Sequence, residues 1–170
     1  MNTMNRRKFI RTGLAGLAGL SVACSRAAKL NIRIPETFTV DKVALGNSGL
    51  TVSRIAMGTG TVGGNQASNQ TRLGMDAFVK LAHHAYERGI NFYDMADMYG
   101  SMPYVGNAIK SLPRENVVLL TKMWTHEDGS SQIEPVEKTL DRFRLETGTD
   151  YFDILLMHCI TKGNWHETRK

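Results

Sequence analysis

An aspartate and a tyrosine stand five positions apart in NFYDMADMYG, residues 91 to 100, as Asp94 and Tyr99. A lysine, Lys122, closes the apolar run NVVLLTK, and a histidine, His158, closes YFDILLMH. Together these four side-chain types suit delivery of a proton to a carbonyl oxygen during hydride transfer. A phenol, with a reference pKa of about 10, exchanges protons poorly near neutrality. An ammonium that favours phenolate would bring Tyr99 into range, and Lys122 is the candidate for that charge. In a low-dielectric mouth Lys122 needs a counter-charge, which Asp94 supplies. His158 would hydrogen-bond the substrate oxygen, fixing its orientation or sharing in the proton transfer. A lysine or histidine at a single strand end is commonly no more than a solvated or packed residue. Ionisable residues at the ends of three successive apolar runs, with Tyr99 in the adjoining loop, form a sharper pattern.

The elements that must position them are legible as a series. Around GNSG, FTVDKVALGNSGLTVSRIAM gives two short extended segments, the signature of a hairpin, leading into an apolar run that ends at Met57. Residues 72 to 88 carry Met75, Phe78, Val79, Ala82, Ala85 and Tyr86 at helical spacing, with Gly89 beyond them. INFYDM is a strand, residues 104 to 112 a shorter helix, and NVVLLTK a parallel strand buried on both faces. A helix over 134 to 146 presents Val136, Leu140 and Phe143 on one side, and Gly148 ends it. YFDILLMH repeats the strand pattern. Strand and helix alternating in this order predict an α/β fold with a parallel sheet and right-handed crossovers, either an open doubly wound sheet or part of a (β/α) barrel. In both, the C-terminal strand ends carry the site, so Asp94, Lys122 and His158 are expected at one mouth.

GINFYDMADMYG, with LLTKMW and DILLMH, resembles the aldo-keto reductase family: an Asp-Tyr pair five apart, then a strand-ending Lys, then a strand-ending His. The resemblance runs from about Val40 to the last residue and includes MGTG at Met57 to Gly60. It implies the N-terminal half of a (β/α)8 TIM barrel over residues 40–170, preceded by a β-hairpin that plugs the barrel bottom. By the same resemblance Tyr99 is the general acid, Lys122 and Asp94 tune it, and His158 orients the substrate. The backbone at Gly58 and Thr59, with Asp94, would approach the nicotinamide ribose, and Trp124 would form an apolar wall of the substrate pocket. The implied cofactor is NADPH, with NADH as the alternative, and the implied substrate a small carbonyl compound. Two departures bear on pocket shape: Met95 stands where the family usually has Thr, and YGSMPYVG lacks the acidic residue common shortly after the family's Tyr-Gly. A complete barrel of this type takes about 250 residues, so the 170 present supply its N-terminal part. The family's contacts to the dinucleotide phosphates and adenine fall mostly in the later strands. An open four-stranded half would leave two strand edges unpaired, which invites self-association or pairing with a complementary half-barrel. A non-catalytic half-barrel that needs a partner chain is therefore the competing expectation.

With 42% apolar and 22% charged residues, the chain reads as one globular unit. Its formal charge of +5 is concentrated in the first 24 residues, where Arg6, Arg7, Lys8 and Arg11 meet no acid. The remaining 17 basic and 16 acidic residues nearly balance, which excludes a nucleic-acid-binding surface. NRRKFIRTGLAGLAGLSVACS sets a charged segment before a Gly/Ala-rich apolar run, Leu14 to Ala23, shorter than the roughly 20 residues that span a bilayer. The arrangement predicts an export signal over residues 1–24, and NRRKFI resembles the twin-arginine type, with Asn5 where Ser or Thr is commoner. A polar linker over 25–39 follows. The twin-arginine export machinery is then a partner and the periplasm the destination. Cleavage after Ala23 is the favoured outcome. Cys24 also sits in a lipoprotein-like box, and its lipidation would anchor the protein to the membrane. Cys24 and Cys159 are the two cysteines, too few for a disulfide framework. No metal is expected, since the spacing of His158, Cys159 and His166 matches no ligand pattern. Asp94 and Asp97 stand too close in one loop to flank a glycosidic bond. GTGTVGG lacks the order of a phosphate cradle and reads as a tight turn at the mouth.

Overall fold

The computed structural model describes residues 38–124 and 135–160. The leader, the linker to residue 37, the beginning of the predicted helix at 134 and the segment carrying His166 lie outside the described residues.

A hairpin comes first. Strands β1 (Lys42–Ala44) and β2 (Thr51–Ser53) pair antiparallel, with Val43 opposite Val52. The turn between them is closed by Leu45 and Leu50, which share a backbone hydrogen bond of 2.9 Å. Asn91 then fixes the hairpin to the sheet floor. Its Oδ1 accepts the Ser53 N–H at 2.7 Å, its own N–H donates to Ser53 Oγ at 3.2 Å, and its Nδ2 donates to the Thr51 carbonyl at 3.2 Å. A cleft of about 310 Å³ opens at this end, bordered by Lys42, Thr51, Asn91, Glu115, Val118 and Asp153.

Four parallel strands follow in sequential order: β3 (Met57–Gly58), β4 (Phe92–Asp94), β5 (Val118–Trp124) and β6 (Ile154–His158). Helices α1 (Met75–Glu87), α2 (Met102–Ile109) and α3 (Val136–Thr147) make the crossovers. The helix predicted from residue 72 begins at Met75, the first residue of its apolar pattern. A 3₁₀ turn at Thr71–Leu73 is cut from α1 by Gly74, whose φ of 83° lies where a side chain is costly. The helix predicted over 104 to 112 begins two residues earlier, with Pro103 in its first turn, where the missing N–H has no partner to lose.

Alternation along the strands decides which side chains reach the site. Tyr93, Leu119, Thr121 and Met123 are buried, and together with Phe78 and Ala82 of α1, Val105 and Ala108 of α2 and Phe143 of α3 all but Thr121 belong to one apolar core. Fully burying an aromatic such as Phe78 or Phe143 contributes about 1.5–3 kcal/mol. Tyr93 also donates from its hydroxyl to the Ala82 carbonyl at 3.2 Å, and its burial pushes the phenol pKa up to about 12. The intervening residues point to the other sheet face. The register sets Asp94 beside Leu120, Lys122 beside Leu156 and Trp124 beside His158, so these residues share that face. The expectation that β5 is buried on both faces is met along the helix side and, on the inner face, at Val118. Among the described residues the inner face has no second wall, and Leu120, Lys122 and Trp124 stay partly exposed. On β6, Leu155, Leu156 and Met157 are exposed at 39%, 43% and 44%, so both faces of this last strand are open.

Candidate active site

The C-terminal ends of β4, β5 and β6 bring Asp94, Lys122, Trp124 and His158 to one mouth. Parallel pairing makes this automatic once each residue occupies an inward position near its strand end. Lys122 Nζ forms an ion pair with Asp94 Oδ1 and donates to the Met95 carbonyl at 2.8 Å. The lysine side chain is 15% exposed and the aspartate 39%, so the pair lies with its cation inward and its carboxylate toward the opening. Tyr99 enters from the 3₁₀ turn Asp97–Tyr99 that follows β4. Lys122 Nζ is 5.2 Å from the centre of its ring, and the His158 ring centre is 5.6 Å away at a nearly perpendicular 86°. Trp124 also stands against His158, edge to face, with ring centres again 5.6 Å apart. All five residues proposed for proton transfer and the pocket wall therefore meet in one place.

The electrostatics differ from the expected arrangement in one respect. Tyr99 has its pKa raised, first by desolvation and then by electrostatic interaction with Asp94 and Cys159. Lys122 does not draw it down, because its ammonium is paired with Asp94 and presents the ring with a compensated charge. The phenol is thereby kept protonated. His158 has its pKa lowered from 6.5, chiefly by desolvation and then by Lys122, against the opposing pull of Asp94 and Asp97. At neutral pH it is a neutral imidazole, able to donate from one ring nitrogen and accept at the other.

Gly58 lies beside Asp94 in the register, and a Cβ built there would meet nothing within 4 Å. Thr59 is fully buried. Its N–H and its hydroxyl donate to the Asp94 carbonyl at 3.0 and 2.8 Å, and Ser101 Oγ lies 2.8 Å from the same hydroxyl. Thr59 therefore secures the strand end that carries Asp94 and has no side-chain face at the mouth. The space over Gly58, beside the part-exposed Asp94 carboxylate, is open.

Two supports for Tyr99 were not legible in the sequence. The loop is the tight turn expected, closed by the Gly63 N–H to the Gly60 carbonyl at 2.9 Å, and it also seats a ring: a Cβ at Gly60 would overlap the Tyr99 ring, and one at Gly63 would come within 2.7 Å of Cδ1. Gln66 donates its N–H to the Met98 carbonyl at 3.1 Å, fastening the loop to the tyrosine's turn. The spacing of Gly60 and Gly63 just beyond a strand end was the available signal. The second support is Asp97, whose carboxylate is held by Arg142 of α3 through bonds of 2.9 and 3.1 Å. Nothing in the sequence links residues 45 positions apart. His83 is occupied in helix packing, its Nε2 2.8 Å from the Ala108 carbonyl. Among the described residues no group of His, Cys, Asp and Glu is arranged to hold a metal, and no helix is long and apolar enough to cross a membrane.

A hairpin followed by sequentially ordered parallel strands, with ionisable residues at their C-terminal ends, defines the N-terminal half of a (β/α) barrel. The aldo/keto reductase family model matches residues 54–165, and the chain belongs to that family. L-galactose dehydrogenase from Arabidopsis thaliana is 33% identical over 127 residues, covering 71% of this chain and 39% of that protein. NADH-specific methylglyoxal reductase from Escherichia coli is 32% identical over 135 residues, covering 69% of this chain and 41% of that protein. Among solved structures, an aldo/keto reductase from Brucella melitensis matches with a TM-score of 0.55 at 29% identity, covering 79% of this chain and 47% of that one. An aldo-keto reductase from Bacillus halodurans in its holo form matches with a TM-score of 0.57 at 22% identity, over 75% of this chain and 43% of that one. The chain thus spans about two fifths of the length of the curated relatives it matches.

Proposed function

We propose that this chain carries the proton-transfer half of a carbonyl reductase active site. The observation that carries the reading is the convergence of Tyr99, the Lys122–Asp94 ion pair and His158 at one mouth. A bound nicotinamide, NADPH with NADH as the alternative, supplies hydride to the carbonyl carbon. Tyr99 Oη gives its proton to the carbonyl oxygen, so that aldehyde or ketone leaves as alcohol and the phenolate forms beside Lys122. The raised phenol pKa keeps the acid protonated but makes it a weaker donor, so proton transfer would depend on the Lys122 ammonium, 5.2 Å from the ring centre, stabilising the phenolate as it forms. Neutral His158 donates a hydrogen bond to the same oxygen, and Trp124 walls the pocket beside it. Asp94 would accept a hydrogen bond from the ribose, and Gly58 leaves room for the ring. The names of the relatives, a sugar dehydrogenase and a methylglyoxal reductase, support a small polar carbonyl substrate.

The test is Tyr99→Phe in the full-length barrel. Turnover with NADPH and a small aldehyde should fall by about 10²–10⁴-fold, the usual contribution of a general acid, with cofactor affinity nearly unchanged. Unaltered turnover would remove Tyr99 from that role. Export is part of the same proposal: replacement of Arg6 and Arg7 by Lys should retain the protein in the cytoplasm, read by cell fractionation.

A further inference from the structure

Asp97 is nearly buried, its side chain 12% exposed, two residues before Tyr99. Carboxylates so placed need strong compensation. Arg142 gives it in the fork geometry that suits a carboxylate, with Nη1 to Oδ1 at 2.9 Å and Nη2 to Oδ2 at 3.1 Å. Arg142 is itself oriented by Glu146, one turn along α3, at 3.4 Å.

The turn being held has little rigidity of its own. It is three residues long, its N-cap Ala96 offers no side-chain cap, and its internal backbone bond, Tyr99 N–H to the Ala96 carbonyl, is 3.2 Å. Short 3₁₀ turns of this kind keep their shape through tertiary contacts. One such contact is the loop at Gly60 to Gln66, which seats the ring from one side. The other is the guanidinium of Arg142, arriving from a helix whose Phe143 is fixed in the core with no exposed surface.

We propose that the Arg142–Asp97 ion pair is a positioning device for Tyr99, transmitting the rigidity of α3 to the turn that aims the phenol at the mouth. The proposal rests on the reading of Tyr99 as the acid, but the geometry it asserts can be measured without turnover. Neither residue touches the reacting atoms in this scheme. Their effect is on where Tyr99 Oη stands.

The experiment is ¹⁹F NMR of the full chain labelled with 3-fluorotyrosine. Five tyrosines give five resonances, and Tyr99→Phe identifies the one of interest by its loss. In Arg142→Gln the Tyr99 resonance should move and broaden toward the solvent-exposed position, while that of Tyr93, buried in the core, stays in place. Asp97→Asn should produce the same displacement, the double variant no more than either single one, and Arg142→Lys a partial return. Should Arg142→Gln fail to fold, Asp97→Asn decides alone, since it leaves no buried carboxylate behind. A Tyr99 resonance that stays in place in either folded single variant overturns the proposal. So does a displacement of Tyr93 by the same amount, which would make the pair a general stabiliser. Failure of the acid reading is distinct: it would appear as retained turnover in Tyr99→Phe, whatever the spectra show.

Discussion

The Lys122–Asp94 pair sets the state of the mouth at the scale of single residues. Replacing Lys122 by Met leaves a part-buried carboxylate without its cation. Because that carboxylate is 39% exposed, the cost should be about 1–2 kcal/mol, below the range for fully buried pairs. Denaturant unfolding measures it. Turnover should fall more steeply than stability, since the phenolate formed on Tyr99 would lose its neighbouring charge. His158 gives a pH dependence whose sign follows from its lowered pKa. Below the unfolded value of 6.5 the unfolded chain takes up a proton that the folded site resists. This stability contribution is present above pH 6.5 and lost as pH falls through the folded pKa. His158→Gln should flatten that part of the stability profile. The four ionisable residues were legible in the sequence because each closes an apolar run or sits just past one. The raised pKa of Tyr99 was not, because it comes first from desolvation, which only the fold determines.

Elements set those residues within reach of one another, and two connections can be tested. Asn91 joins the hairpin to the start of β4 through three hydrogen bonds, and Asn91→Ala would strand the buried Ser53 N–H. A loss of about 2–3 kcal/mol is expected, with faster hydrogen exchange over residues 42–53 than in β5. At the mouth, Gly60→Ala should displace the Tyr99 ring and reduce turnover by about 10²-fold, the scale of effect for a reacting group moved by an ångström. The strands, their order and α3 were readable from periodicity and from the residues that end each segment. The separate 3₁₀ turn at Thr71–Leu73 was not, since it lies ahead of the apolar pattern, which begins at Met75 just beyond Gly74. The ring seat and the Arg142–Asp97 clamp were hidden for another reason. Both join residues far apart in sequence, and the spacing of Gly60 and Gly63 marks the loop without naming the ring it seats.

For the whole molecule, the unpartnered side of β6 is the dominant surface feature of the described residues. A polypeptide of this sequence alone, without residues 1–23, should self-associate, and replacing Leu155 and Met157 by Lys should reduce that association in sedimentation experiments. The open edges were foreseeable from the strand count, whereas the exposure of both faces of β6 required the structure. The sheet order β3-β4-β5-β6 carries one more consequence. Each strand pairs with the one just before it, so during synthesis Asp94 and Tyr99 leave the ribosome first, Lys122 finds its counter-ion already in place, and His158 arrives onto an existing edge. Assembly of the proton-transfer groups can therefore follow the order of translation, with Asp94 waiting 28 positions for Lys122 and His158 joining last.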